Sequence, residues 1–328
     1  MSSLTQPPAA PSSPPASPAA APAARRWPSR RLTRRVLLAN LVAQVVIVVT
    51  GGAVRLTGSG LGCSTWPQCE PGEFTPVLHE ATTWHPIIEF ANRTLTGVLV
   101  VLAVAAALVV LRGPRRPLGV RLLALAPLLG VVVQAVVGGM AVLVELHPAV
   151  VGSHFLISMA LVAVSTALVL REAQPDGPAL TVVDPGARRL SLLLVPLAAI
   201  VLALGVVVTG AGPHSGDDDA AYRFALDPAA ISKVHALSVW TYVAVVVAVL
   251  VLLRRAVAAG APSGPARATL VLLVVTFAQG LIGYVQYLTD LPAVLVAAHM
   301  LGACLLVVAQ TAQLSAQRER AIAERAVA

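Results

Sequence analysis

Residues 134–164 read QAVVGGMAVLVELHPAVVGSHFLISMALVAV, and residues 279–309 read QGLIGYVQYLTDLPAVLVAAHMLGACLLVVA. Laid over one another at a constant offset of 145, they pair Gln134 with Gln279, Gly138 with Gly283, Glu145 with Asp290 and His154 with His299. Each stretch runs from the end of one apolar segment through a short polar turn into the next. The match extends outward: VVTGGAVRLTGSG (48–60) closes the first apolar segment and VVTGAGPHSG (207–216) the fifth. Helix-forming runs IIEFANRTLTGVL (87–99) and AISKVHALSVWTY (230–242) superpose at an offset of 143, placing Asn92 on His235 and Glu89 on Ser232. A unit repeated in this way predicts two parallel four-helix halves split near residue 180.

Composition names the solvent. Of 328 residues, 57% are hydrophobic and 12% charged, with a mean hydropathy of +0.82, far from the balance of a water-soluble domain. A helix needs about 20 mainly apolar residues to cross a bilayer. Eight segments qualify, near 36–54, 87–111, 121–143, 149–170, 190–210, 231–253, 268–288 and 292–315. The first follows a basic stretch, as a signal peptide would, but its apolar run is too long for a signal-peptide core, so it is read as uncleaved. The expected fold is all-α: a polytopic membrane protein of eight transmembrane helices as two repeated four-helix bundles. Its parts are a disordered basic leader (1–35), an N-terminal half (36–175), a C-terminal half (176–315) and a tail (316–328).

Short loops rich in Lys and Arg stay in the cytoplasm. With the amino terminus inside, six basic residues fall in Arg25–Arg35, four in 112–121, and three each in 171–189, 254–267 and the tail. This N-in/C-in orientation leaves four on the outer side: Arg55, Arg93, Arg223 and Lys233, which are candidates for holding something anionic. The formal charge of +8 therefore reports topology, with no nucleic-acid signature beyond it.

All seven histidines, His79, His85, His147, His154, His214, His235 and His299, fall at outer helix ends or in outer loops. His235 lies about one turn inside its helix and His299 about two. Two imidazoles on neighbouring helices of one bundle can hold a haem iron from both faces. A histidine there can also be wetted by headgroups or bond a neighbouring helix, but repetition at matched places argues for ligation. On helix two, Glu89, Asn92 and Arg93 share one face. Glu89 and Arg93 are readable either as an ion pair at the membrane edge or as a proton-moving carboxylate beside whatever His154 binds. The outer loop GSGLGCSTWPQC (58–69) carries Cys63 and Cys69, placed for a disulfide in an oxidising compartment or standing as two free thiols. Cys304 reads as a small core residue.

Together, GGAVRLTGSGLGCSTWPQC (51–69), EFANR (89–93), TGAGPHSGD (209–217) and the histidines of helices four, six and eight resemble haem A synthase of the bacterial type, across residues 36–315. Each motif alone is weak; the combination is specific. The resemblance implies an oxidoreductase of the bacterial plasma membrane, its haem sites toward the outer face, that oxidises the ring C8 methyl of haem O to the formyl of haem A. It implies a haem b cofactor whose iron is held by His235 and His299. It places substrate haem O on the iron ligand His154 beside the carboxylate Glu89, and a disulfide at Cys63–Cys69. Many members carry a further histidine where this chain has Asn92. An asparagine there would leave one face of the substrate iron open and offer hydrogen bonds instead. Arg55 and Arg93 are then expected on the haem propionates of the first half, and Arg223 and Lys233 on those of the second.

A farnesylating haem O synthase upstream and cytochrome c oxidase assembly downstream are implied as partners. The electron acceptor, the oxygen source and any homo-oligomer are not named by the sequence. Two other classes compete. A dihaem b electron-transfer protein would bind haem and leave it unchanged, and gives no reason for Asn92 to break the repeat. A solute transporter would purify without haem.

Overall fold

The computed structural model describes residues 28–77, 83–113, 116–214, 216 and 222–321. Its helices are α1 (Arg30–Leu56), α2 (His85–Leu111), α3 (Leu118–Leu143), α4 (Pro148–Glu172), α5 (Pro185–Ala211), α6 (Pro228–Ala258), α7 (Gly264–Leu288) and α8 (Ala293–Ser315). All eight are long and apolar enough to cross a membrane, which makes the chain an all-α, multi-pass membrane protein.

Seven of the eight helices start earlier than the apolar pattern, mostly because their first turns are built from caps and prolines; α8 starts at Ala293, one residue later than expected. Asp184 and Asp227 accept backbone N–H bonds from the first turns of α5 and α6, and Ser29 does so for α1. Proline stands in the first positions of α2, α4, α5, α6 and α7, where its missing N–H costs nothing. Thus α1 begins at Arg30, inside the stretch expected to be leader; residues 1–27 lie outside the described part.

Three apolar clusters hold the bundle. Leu37, Ala106, Val110, Val120, Ala124 and Leu168 join α1 to α4. Leu194, Tyr242, Val246, Val249, Leu272 and Leu306 join α5 to α8. The third lies between the halves, where Val48, Met159, Val162, Ala303, Cys304 and Val307 bring α1, α4 and α8 together. Cys304 is a fully buried member of that seam.

One end of the bundle carries structure with no counterpart in the expected linker and tail. Strands β1 (Ala179–Thr181) and β2 (Arg318–Arg320) pair antiparallel, with Leu180 opposite Glu319. Beside them Arg116 meets Glu172 at 2.7 Å and Asp176 at 3.0 Å, and Arg171 meets Asp176 at 2.9 Å. Gln317, fully buried, donates to Ser191 Oγ (2.7 Å) and accepts from Arg188 (3.0 Å). Residues 322–328 lie outside the described part. The opposite end carries the α1–α2, α3–α4, α5–α6 and α7–α8 connections, and the candidate site lies there.

Candidate functional site

Four side chains occupy matched depths. Asn92 and His235 each stand seven residues after the first residue of α2 and α6, and His154 and His299 six after that of α4 and α8. All four are therefore about two turns into their helices. For His235 this is one turn deeper than expected, because α6 starts at its Asp227 cap and not where the apolar run begins.

Each of the four faces a glycine on the preceding helix. A Cβ added at Gly138 would lie 3.2 Å from His154 Cε1, at Gly205 3.3 Å from His235 Cε1, and at Gly283 3.1 Å from His299 Cε1. At Gly51 it would lie 3.9 Å from Asn92 Nδ2. The missing methyl groups let imidazole rings lie flush against a neighbouring backbone, as small residues do between membrane helices. Gln134 Nε2 donates to the His154 carbonyl (3.0 Å) and, more closely, to Ser158 Oγ; Gln279 Nε2 donates to the His299 carbonyl (2.7 Å). The turns before the histidines also repeat: Glu145 and Leu146 have φ of 51° and 58°, Asp290 and Leu291 both 57°. Two successive left-handed residues are unusual away from glycine, so the offset of 145 is matched by backbone as well as by sequence.

The Nδ1 atoms of His154, His235 and His299 are buried against the preceding helix, with the Val201 and Gln279 backbones beside the rings of His235 and His299. Closed off in this way, Nδ1 leaves Nε2 as the nitrogen of each ring that can hold a ligand such as a haem iron. Among the described residues no three His, Cys, Asp or Glu gather into a cage for a bare ion. The donors are instead single imidazoles on separate helices, which suits a planar group entered from its faces.

The α1–α2 loop folds over the first half. Cys63 and Cys69 form a disulfide with Cα atoms 4.4 Å apart. Glu89, 5% exposed, accepts the Cys63 N–H at 2.7 Å and pairs with Arg93. Arg93 in turn donates to the carbonyls of Thr65 (2.9 Å) and Gln68 (3.2 Å). The Glu89–Arg93 pair is thus a buried fastening for the disulfide loop and no solvated surface pair. The indole of Trp66 covers Gly139, where a Cβ would come within 2.5–2.9 Å of its ring atoms.

Asn92 Oδ1 accepts from Thr50 Oγ1 (2.8 Å), tying α2 to α1. Arg55 reaches across the halves, donating to the carbonyls of His214 and Thr209. Arg223 is exposed and donates to Gly212, Pro213 and Tyr222 carbonyls; Lys233 is exposed on α6. His85 bonds Ser59 (2.9 Å), His147 caps α4, and His214 bonds the Leu291 carbonyl (3.1 Å). His79 lies outside the described residues. The three deep histidines and Asn92, singled out in the sequence by the repeat, stand at matched depth, and Glu89 lies one turn before Asn92 on α2. Sequence reasoning missed their glycine and Thr50 partners and the Trp66 contact, and a glycine at Gly138 and Gly283 in register was the available signal for two of these.

The family model described as cytochrome oxidase assembly protein matches residues 34–311. The chain is similar to the heme A synthase of Exiguobacterium sibiricum, 32% identical over 134 residues, which covers 40% of this chain and 44% of that protein. To that of Halalkalibacterium halodurans it is 30% identical over 145 residues, 43% and 47% of the two chains. To that of Bacillus pumilus it is 33% identical over 118 residues, 35% and 37%. In each case the matched region is less than half of the curated relative.

Proposed function

The chain belongs to the cytochrome oxidase assembly protein family, and on that premise we propose that it is a haem A synthase: an oxidoreductase that converts the ring C8 methyl of haem O into the formyl of haem A. The observation that carries this reading is the set of three half-buried imidazoles at matched depth, each flush against a glycine of the preceding helix with its Nδ1 closed off from solvent, and an asparagine in the fourth place. A dihaem electron-transfer protein would have no use for that asymmetry, and the similar proteins do not favour it.

In this reading the α5–α8 half holds haem b between His235 and His299, and the α1–α4 half receives haem O on His154. Haem b, when bound, supplies reversible one-electron storage beside the substrate. The remaining work falls to the chain's own groups. His154, held by the Gln134 bond to its carbonyl, fixes the substrate's position and depth. Asn92, held by Thr50, cannot replace an imidazole as a strong iron ligand and leaves that face of the substrate accessible. Glu89 would take protons released as the methyl loses two C–H hydrogens and gains one oxygen, a four-electron oxidation whose electrons pass to an acceptor outside the chain. Arg55 uses Nε and Nη2 on the His214 and Thr209 carbonyls, which leaves Nη1 for a propionate; for the second half the exposed Lys233 would do the same, with Arg223 if it exchanges a carbonyl partner.

The distribution of Arg and Lys supports an orientation with both termini inside and the two sites toward the outer face of a bacterial plasma membrane. Haem O then arrives from the farnesylating haem O synthase, and haem A leaves for cytochrome c oxidase. The test is chromatography of acid-extracted haems from a host that makes haem O and lacks its own haem A synthase. Haem A appearing with the chain, and lost with His154→Ala, supports the assignment; haem O persisting beside a haem-loaded, inserted protein refutes it.

A further inference from the structure

The two halves differ beside their matched glycines. In the α5–α8 half the residue after Gly283 is Tyr284, an exposed side chain whose hydroxyl accepts from the exposed Trp240 Nε1 of α6 at 3.0 Å, so this place carries its own side chain and no loop is seated on it among the described residues. At the matched place in the α1–α4 half stands Gly139, and its notch is filled from outside the helices by Trp66 of the disulfide loop. A Cβ at Gly139 would lie 2.5, 2.6 and 2.9 Å from Trp66 Cδ2, Cε2 and Cγ, so even alanine would displace the indole. Successive residues on a helix point about 100° apart, and Gly138 on the neighbouring side carries the His154 ring.

The loop is fastened at three places besides. Cys63 N–H is held by Glu89, the Thr65 and Gln68 carbonyls by Arg93, and Gly60 N–H by the Gly216 carbonyl (2.7 Å). The Cys63–Cys69 bond brackets Trp66 and restricts where its indole can go.

We propose that Trp66 is a positioning residue for the first-half site, docking the disulfide loop on Gly139 as a displaceable outer wall beside His154. The proposal rests on the reading of His154 as the substrate ligand and gives the asymmetry a use. A half that keeps its haem has no need of a removable piece at this place, and Tyr284 stands there. A half that must take in haem O and release haem A needs a wall that can leave, and because α3 is touched by the indole while Glu89, Arg93 and Gly216 hold the rest of the loop, Trp66 can swing off Gly139 while α3 and α4 stay packed.

The experiment uses the full chain in detergent, loaded with haem B and haem O, as Trp66→Ala, Trp66→Phe, Gly139→Ala and the control Gly97→Ala, whose added Cβ meets nothing within 4 Å. Two rates are read: reduction of Cys63–Cys69 by a water-soluble phosphine, which needs no haem, and dissociation of haem O. The spectrum of the haem held by His235 and His299 reports that each variant is folded. Expected are roughly tenfold faster values of both rates in Trp66→Ala and Gly139→Ala, most of the parent behaviour in Trp66→Phe, and an unchanged second-half spectrum. Both rates within twofold of Gly97→Ala would overturn the proposal. So would faster disulfide reduction with unchanged haem O release, which would make the loop docked but no wall. A parent chain that takes up no haem O while its disulfide rates still respond to Trp66 would instead overturn the haem O reading, and with it the wall.

Discussion

The α1–α4 and α5–α8 halves share a frame and part company at single residues. Gln134 and Gln279 hold the carbonyls of His154 and His299, and Gly138 and Gly283 face their rings. Yet Asn92 stands where the second half has His235, Gly139 where it has Tyr284, and the first half alone carries a disulfide loop over its end. The lesson is that one backbone frame can be used twice, whereas a handful of side chains decides which groups each copy presents at the matched depth.

The strongest way to break this comparison is to remove a ligand from one half only. His299→Ala should abolish the stably bound haem of the α5–α8 half, seen as loss of most of the Soret absorbance of the purified chain, and leave haem O uptake by the other half. Equal loss from both would show that the two sites are not separate. Next, Asn92→His makes the halves alike. We expect a two-imidazole, low-spin spectrum in the first half and conversion of haem O lowered at least about tenfold; bis-imidazole ligation with undiminished turnover would end the open-face explanation.

Smaller effects sharpen it. Gly138→Ala and Gly283→Ala place a methyl 3.2 and 3.1 Å from an imidazole carbon, tighter than side chains normally pack. Each should loosen haem several-fold in its own half, read by haem transfer to apomyoglobin, and a loosening in both halves from either change would count against local control. Smallest is removal of the glutamine bonds. Gln279→Leu should cost ~0.6 kcal/mol, as interhelical hydrogen bonds in membranes do. Gln134→Leu should cost more, because it also bonds Ser158; unfolding in mixed micelles ranks the two.

Much of this was legible because lipid imposes a simple grammar. Helices must satisfy their own backbone, so apolar runs marked the spans, and the ends at Leu111, Leu143, Leu288 and Ser315 coincide with the expected ones. Helix starts were less legible, because Asp184 and Asp227 cap helices whose first turns lie ahead of the continuous apolar run. Strands β1 and β2 gave no signal: three residues each, far apart in sequence, they exist only because the bundle brings them together. The same holds for the arginines. Their excess on one side was visible in the sequence, but Arg55 and Arg93 find carbonyls on other segments, partners that only tertiary structure supplies. His154, His235 and His299 were found through repetition, and repetition could not reveal Trp66, which occupies a notch that the second half lacks.

The pairing of β1 with β2 also bears on how the molecule is put together. The linker strand leaves the ribosome directly after α4, but its partner follows only after α5 to α8 have been made. Until then Ala179–Thr181 has an open edge and Ser191 lacks the Gln317 amide that reaches it. That end of the molecule is therefore joined only when both halves of the chain have been made, which ties its first half to its last residues across the whole length of the sequence.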